Sequence, residues 1–319
     1  MVGDFLLQCS RFDGTTTLPI RSVRDFKHQG PATSMRTQIE TAIFPVAGMG
    51  TRMLPATKSV PKELLPVYDR PLVQLAVDEA TAAGIKRMIF VSHPSKAIIE
   101  DYFQPDETLL EALETGGKTD IVETLHDIAP DDSADIQFVM QDEPLGLGHA
   151  ILCARDMAGE GPVAVILPDD VLMGHGCALA DMICAYGDSD AAHMVATMPV
   201  LRAEVSRYGI IEPNEPTYDA HLRVRGLVEK PSPQDAPSNL AVIGRYILGP
   251  DIFDTLAKTQ AGAGGEIQLT DAIASSVATG GVSAFRLTQD RFDCGHPEGL
   301  LEASLARREW LLQSEEVAA

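Results

Sequence analysis

From Thr41 onward the chain alternates short, almost wholly apolar runs with helical stretches, and that alternation admits few folds. The runs are "TAIFPVA" (41–47), "RMIFVS" (87–92), "ADIQFVMQ" (134–141) and "PVAVILPDD" (162–170). Between them "RPLVQLAVDEATAAG" carries Pro71 where a helix opens and Gly84 where it closes, and a second helix runs through "GHAILCARDMA". Strands this apolar are buried on both faces, so the pattern predicts an α/β architecture, a mainly parallel mixed sheet flanked by helices. Ligands of such sheets bind outside the carboxyl ends of the strands, and residues 47–52 and 168–170 fall at such ends. After residue 190 strands prevail ("AHMVATMPV", "RYGII", "HLRVRGLVEKP", "NLAVIGRYIL"), which predicts a smaller strand-rich lobe on the same sheet. Residues 41–319 read as one domain, with halves at about 41–190 and 191–319. The acidic stretch 104–134 reads as a solvated helical flap or a subunit contact.

Residues 1–40 differ from the rest. They carry five bases against four acids, show no sustained period, and are expected to form a poorly ordered arm dispensable up to Met35, itself an alternative start. The longest apolar run is too short to cross a bilayer, and no basic start precedes a long apolar core at the N-terminus. Five cysteines without a CxxC pair suggest reduced thiols in the cytoplasm. A net charge of -21 argues against broad binding to nucleic acid or anionic membrane, which needs an extended basic surface, but leaves room for a local basic pocket.

Within this acidic chain, residues 41–62 contain no carboxylate, yet hold Arg52, Lys58 and Lys62. A dinucleotide-binding G-x-G-x-x-G fails because Met53 stands where the third glycine belongs. A P-loop ending in "GGKT" (116–119) fails because Ala112 replaces its first glycine, so this stretch reads as a helix-ending turn. The remaining pattern is G-x-G-T-R followed by Pro61-Lys62, where glycines admit backbone N–H groups to a phosphate chain and the two cations hold it.

"FPVAGMGTRMLPATKSVPKELLPV", "DEPLGLGHAILCA", "PVAVILPDD", "GLVEKP", "APSNLAVIGRYIL", "GAGGEIQLTDAI" and "DCG" follow in order across about 41–310. Together they resemble the bacterial UTP–glucose-1-phosphate uridylyltransferases, also called UDP-glucose pyrophosphorylases; thymidylyltransferases share the G-x-G-T-R element. The resemblance implies a Rossmann-like nucleotidyltransferase fold, Mg²⁺ dependence, and a homodimer or homotetramer acting on UTP and glucose 1-phosphate. It implies that Ala47 and Gly48 meet the uridine through their backbone, that Gln141 and Gly146 close on the base, and that Glu63 holds the ribose. The Gln141 amide offers both a donor and an acceptor to the uracil edge. By the same resemblance Arg52 and Lys62 clasp the triphosphate, Glu229 accepts sugar hydroxyls, Lys230 holds the sugar phosphate, and Gly209 lets the sugar approach. Asp169 and Asp293 are the implied metal ligands.

Each residue has a plainer reading. Glu229-Lys230 alone would be a solvated pair, Asp293 a turn residue, and His149 a structural hydrogen-bonder. Asp169 and Asp170 could form an N-cap or turn, and spacing does not choose between them; the resemblance, with one acid after the proline, favours Asp169. A glycosyltransferase could use the same acidic pair without the G-T-R and P-K elements, and a non-catalytic nucleotide-sugar sensor would not need Arg52, Lys62 and Asp169 together.

Overall fold

The computed structural model describes residues 38–128, 134–215, 221–262 and 265–318. The N-terminal arm, as far as Thr37, lies outside them. Ile39 is buried, and the Glu40 carbonyl accepts from the N–H groups of Lys86 and Arg87, so the packed chain begins just before the expected boundary.

One nine-stranded sheet organises the molecule. Its strands are β1 (Thr41–Pro45), β4 (Arg87–Ser92), β5 (Asp135–Met140), β6 (Val163–Ile166), β8 (His193–Pro199), β9 (Gly209–Pro213), β10 (His221–Glu229), β11 (Leu240–Leu248) and β12 (Val282–Arg286). They lie in the order β5-β4-β1-β6-β11-β8-β12-β10-β9. The first four run parallel, as their apolar sequences require, and the order turns back at β1, where β6 takes the other side. β11 wedges in antiparallel between β6 and β8, and β8 pairs in parallel with β12. β10 bulges between Val224 and Gly226, leaving β12 for β9, which also touches β11. The expected second lobe is this strand-rich extension of the same sheet.

Two small ribbons stand apart: β2 (Pro66–Val67) with β3 (Arg70–Pro71), and β7 (Asp170–Met173) with β13 (Asp290–Asp293). Helices α1 (Leu72–Ala82), α2 (Ala97–Tyr102), α5 (Leu147–Cys153), α6 (Arg155–Ala158), α7 (Ala178–Gly187), α8 (Ile252–Lys258) and α9 (Leu269–Ser276) flank the sheet. Helix α1 ends where the sequence places it: Gly84 at φ +85° lets its own N–H reach Thr81 and that of Ile85 reach Ala80. The acidic excursion holds the mostly exposed α3 (Glu107–Thr115) and α4 (Thr119–His126), and "GGKT" is the turn between them. Helix α10 (Pro297–Ala318) packs its start under the second ribbon through Ala303 and Leu300 against Cys294, Val171 and Phe292. No helix among the described residues is long and apolar enough to cross a membrane.

Two apolar layers, one on each face, form the core. Phe44, Phe90 and Phe138 stack through neighbouring strands on one side, with ring centroids 4.7 and 5.1 Å apart. Beside them sits a buried charge. Arg245 of β11 meets Glu79 of α1 at 2.7 Å and donates to the Leu167 and Gly244 carbonyls, fixing the segment that leaves β6. Removing one member of such a pair strands the other in low dielectric. Glu79→Ala should therefore cost about 3–5 kcal/mol in urea unfolding, whereas Glu40→Ala, which frees the exposed Lys86, should cost at most about 1 kcal/mol.

Candidate active site

The turn after β1 is built by short-range constraints. Gly50 takes φ +61°, the Met53 N–H reaches back to its carbonyl, and the Thr57 hydroxyl donates to the same oxygen at 2.8 Å. This curls 47–52 over the strand end, leaving Ala47 buried and Gly48 exposed. Beneath it Lys96 Nζ donates to the Val46 carbonyl at 2.6 Å and to Glu63 Oε2 at 2.8 Å. Glu63 is 1 % exposed, and its Oε1 is buried without a hydrogen-bond partner among the described residues. Burial pushes its carboxyl up against the pull of Lys96 and Lys62. The resemblance gives Glu63 to a ribose; in this structure its carboxylate pairs with Lys96 and braces the loop from below.

The β7–β13 ladder brings the expected metal ligands together from distant parts of the chain. Asp170 stands opposite Asp293, and the Cys294 N–H donates to the Asp169 carbonyl at 2.7 Å. Asp170 spends both oxygens internally: Arg291 takes Oδ1 through two nitrogens, and the Gly244 N–H donates to Oδ2 at 2.9 Å. It is an anchor. Asp169 instead meets Lys62 Nζ at 2.5 Å. Burial would raise the Asp169 carboxyl, but Lys62, a backbone hydrogen bond and Arg52 outweigh it and hold it below the usual range. Burial would lower the Lys62 ammonium, but Asp169 and Glu63 hold it above its ordinary value. Both stay ionised through neutral pH. Asp293 Oδ2 accepts from Arg207 at 2.8 Å, and its Oδ1 accepts from the Gly295 N–H.

Gly295 opens the space between these groups. A Cβ there would stand 2.9 Å from Arg52 Nη2, 3.0 Å from Asp293 Oδ1 and 3.2 Å from Asp169 Oδ2. Two carboxylates and a guanidinium thus face one small hollow that a methyl group would fill. No cluster of three or more metal-ligating side chains occurs among the described residues. Two hard oxygen donors are nevertheless the protein share that Mg²⁺ ordinarily takes, so the donor set fits that ion.

Arg52, Asp169, Gly209, Glu229, Lys230 and Asp293 all line one cavity of about 410 Å³. Gly209 lies across the ladder from Glu229, and a Cβ on it would come within 3.2 Å of Glu229 Oε2 and 3.0 Å of Thr270 Oγ1. Lys230, at φ +45°, points its ammonium to Glu229 at 3.3 Å and is half exposed. The residues expected to meet a base lie apart, after β5: Gln141 Nε2 donates to the Gly146 carbonyl at 3.1 Å and stands 3.0 Å from His149 Nδ1. Nε2 thus faces two acceptors inside the protein, while Oε1 takes no hydrogen bond among the described residues. Burial and nearby Asp169 and Asp293 push the Cys294 thiol up to about 12, which keeps it neutral.

Arg207, Tyr208 and Arg291 were not foreseen from the sequence. Both guanidiniums stand over the Tyr208 ring, at 5.5 and 5.2 Å from its centre, and Arg291 also donates to its hydroxyl. "RYGII" and "DRFDCG" contained them, but only the ladder reveals whom they meet. Gly295→Ala should leave the melting temperature nearly unchanged, because Arg52 can swing aside, yet weaken divalent-cation binding at least tenfold by titration calorimetry.

The nucleotidyl transferase family model matches residues 42–309. A UTP–glucose-1-phosphate uridylyltransferase of Bacillus subtilis (strain 168) is 42 % identical over 271 residues, covering 85 % of this chain and 90 % of its own. A UTP-bound UGPase from Acinetobacter baumannii superposes with a TM-score of 0.79 at 41 % identity, covering 85 % of this chain and 93 % of that one. A UDP-glucose pyrophosphorylase complexed with UDP-glucose gives 0.77 at 40 %, covering 85 % and 99 %. Sheet order, ladder and glycine turn therefore sit in a chain that belongs to the nucleotidyl transferase family, in its UTP–glucose-1-phosphate uridylyltransferase branch.

Proposed function

We propose that the protein makes UDP-glucose and pyrophosphate from UTP and α-D-glucose 1-phosphate. The observation that supports this reading beyond family membership is one shared cavity. Its lining includes Arg52, Asp169 and Asp293 together with Gly209, Glu229 and Lys230, groups suited to a phosphate chain beside a sugar phosphate.

A sugar-phosphate oxygen attacks the α-phosphorus of UTP, the bond to the bridging oxygen breaks, and its electron pair leaves with pyrophosphate. The nucleophile is already anionic, so no general base is needed, and the protein's task is alignment and charge compensation. Ala47 and Gly48 offer backbone groups to the uridine at the end of β1, with Gln141 and Gly146 beside the base. Arg52 and Lys62 meet the triphosphate, Lys62 by exchanging Asp169 for phosphate oxygens. Glu229 accepts from sugar hydroxyls, Lys230 holds the sugar phosphate, and Gly209 leaves the sugar room. Asp169 and Asp293 would hold Mg²⁺, which when bound supplies positive charge against the phosphate oxygens. Four free cysteines among the described residues accord with a reducing cytoplasm. Exposed Leu301, Leu305, Trp310 and Leu312 along α10 accord with a homodimer or homotetramer.

Pyrophosphate release measured with each of the four common nucleoside triphosphates and glucose 1-phosphate tests the reaction; no release with UTP would refute it. Lys62→Ala should chiefly lower kcat, by about 10²–10³ on the scale of a lost preorganised donor, and affect UTP more than the sugar phosphate. Lys230→Ala should raise KM for glucose 1-phosphate far more than KM for UTP. The reverse pattern would break the assignment of lysines to substrates. Asp169→Asn and Asp293→Asn should each cripple turnover. Asp170→Asn, which weakens the Arg291 anchor, should show first as lost stability in urea unfolding.

A further inference from the structure

Gln141 is 5 % exposed, and its amide is held from two directions. The Gly146 carbonyl, 3.1 Å from Nε2, can only accept, so the amide nitrogen must face it. That oxygen also accepts from the Ala150 N–H in the first turn of α5, which fixes its direction. The second amide hydrogen falls to His149 Nδ1 at 3.0 Å. This makes Nδ1 the bare ring nitrogen and puts the imidazole proton on Nε2. The Cys153 thiol, one turn along α5, lies 3.9 Å from both ring nitrogens and is too distant to impose the other tautomer. Turning the amide over would set Oε1 against the Gly146 carbonyl, acceptor to acceptor. Oε1 itself takes no hydrogen bond among the described residues.

We propose that His149 is a positioning residue for the choice of pyrimidine. By accepting from Gln141 Nε2 it consumes the second donor of the amide and leaves Gln141 an acceptor only. An acceptor suits the N3–H of uracil. It opposes the N3 lone pair of cytosine, which a free amide N–H would welcome. The inference rests on the assignment of Gln141 to the base pocket.

The measured quantity is the ratio of kcat/KM for UTP to that for CTP, with glucose 1-phosphate saturating; a ratio is independent of the fraction of enzyme that is folded. His149→Phe keeps a ring and removes the acceptor, and His149→Leu does the same should the Phe variant not fold. Either should lower the ratio about tenfold, the value of one net hydrogen bond. His149→Asn, whose Oδ1 can stand where Nδ1 stood, should restore it. Gln141→Leu separates the two readings. If it leaves the ratio unchanged, the base-pocket assignment fails and the inference with it. If Gln141→Leu shifts the ratio while the acceptor-free variants slow all nucleotides equally, His149 is structural only and the inference is overturned. A shift in His149→Asn as large as in His149→Phe would also overturn it.

Discussion

The buried contact between Asp170 and Arg291 is the constraint on which the site depends. It joins the residue after the β6 turn to a strand more than a hundred residues later, and it does so beside the reacting groups. Once Asp170 is clamped by Arg291 and the Gly244 N–H, the direction of the preceding residue is set, and Asp169 has to face the cavity. The same ladder positions Asp293, and the start of α10 backs it from below. Two carboxylates can then converge on one hollow without either belonging to a flexible loop. The cost of burying Asp170 is met by hydrogen bonds on both of its oxygens, the condition under which a buried charge is tolerated.

Electrostatics divides the molecule unevenly. The chain as a whole is strongly acidic, with a net charge of -21, yet the turn after β1 is free of carboxylates. The acids nearest to it are each committed: Glu63 to Lys96, Asp169 to Lys62 and Asp170 to Arg291. Of the cations lining the cavity, Arg207, Lys230 and Arg291 each have an ion pair with a carboxylate, whereas Arg52 has none among the described residues, which leaves its guanidinium open to an anion.

The parallel half of the sheet was legible because strands buried on both faces leave unbroken apolar runs, as at 41–45 and 87–91. Turns governed by one residue, such as Gly84 after α1, were legible for the same local reason. The β7–β13 ribbon was not: two four-residue strands carry no usable period, and their pairing is decided by partners far away in the sequence. Arg207 and Arg291 carry no local sequence signal, and the fold alone turns them toward Asp293 and Asp170. The resemblance supplied candidate site residues but not their posture. It could not show that Glu63 is sealed beneath the loop, or that the Gln141 amide has both hydrogens engaged. Those facts depend on Lys96 and His149, whose own positions come from helices packed on the sheet.

The Lys62–Asp169 contact has a thermodynamic consequence. One ammonium faces one carboxylate oxygen, so whatever draws Lys62 toward a phosphate releases Asp169 Oδ2, and whatever occupies Asp169 releases Lys62. The two events share a single broken ion pair, and the second guest no longer bears the cost of breaking it. Reciprocity then requires each to raise the affinity for the other by the same factor. A cation and a polyanion entering this site are thus cooperative partners, even before they touch one another.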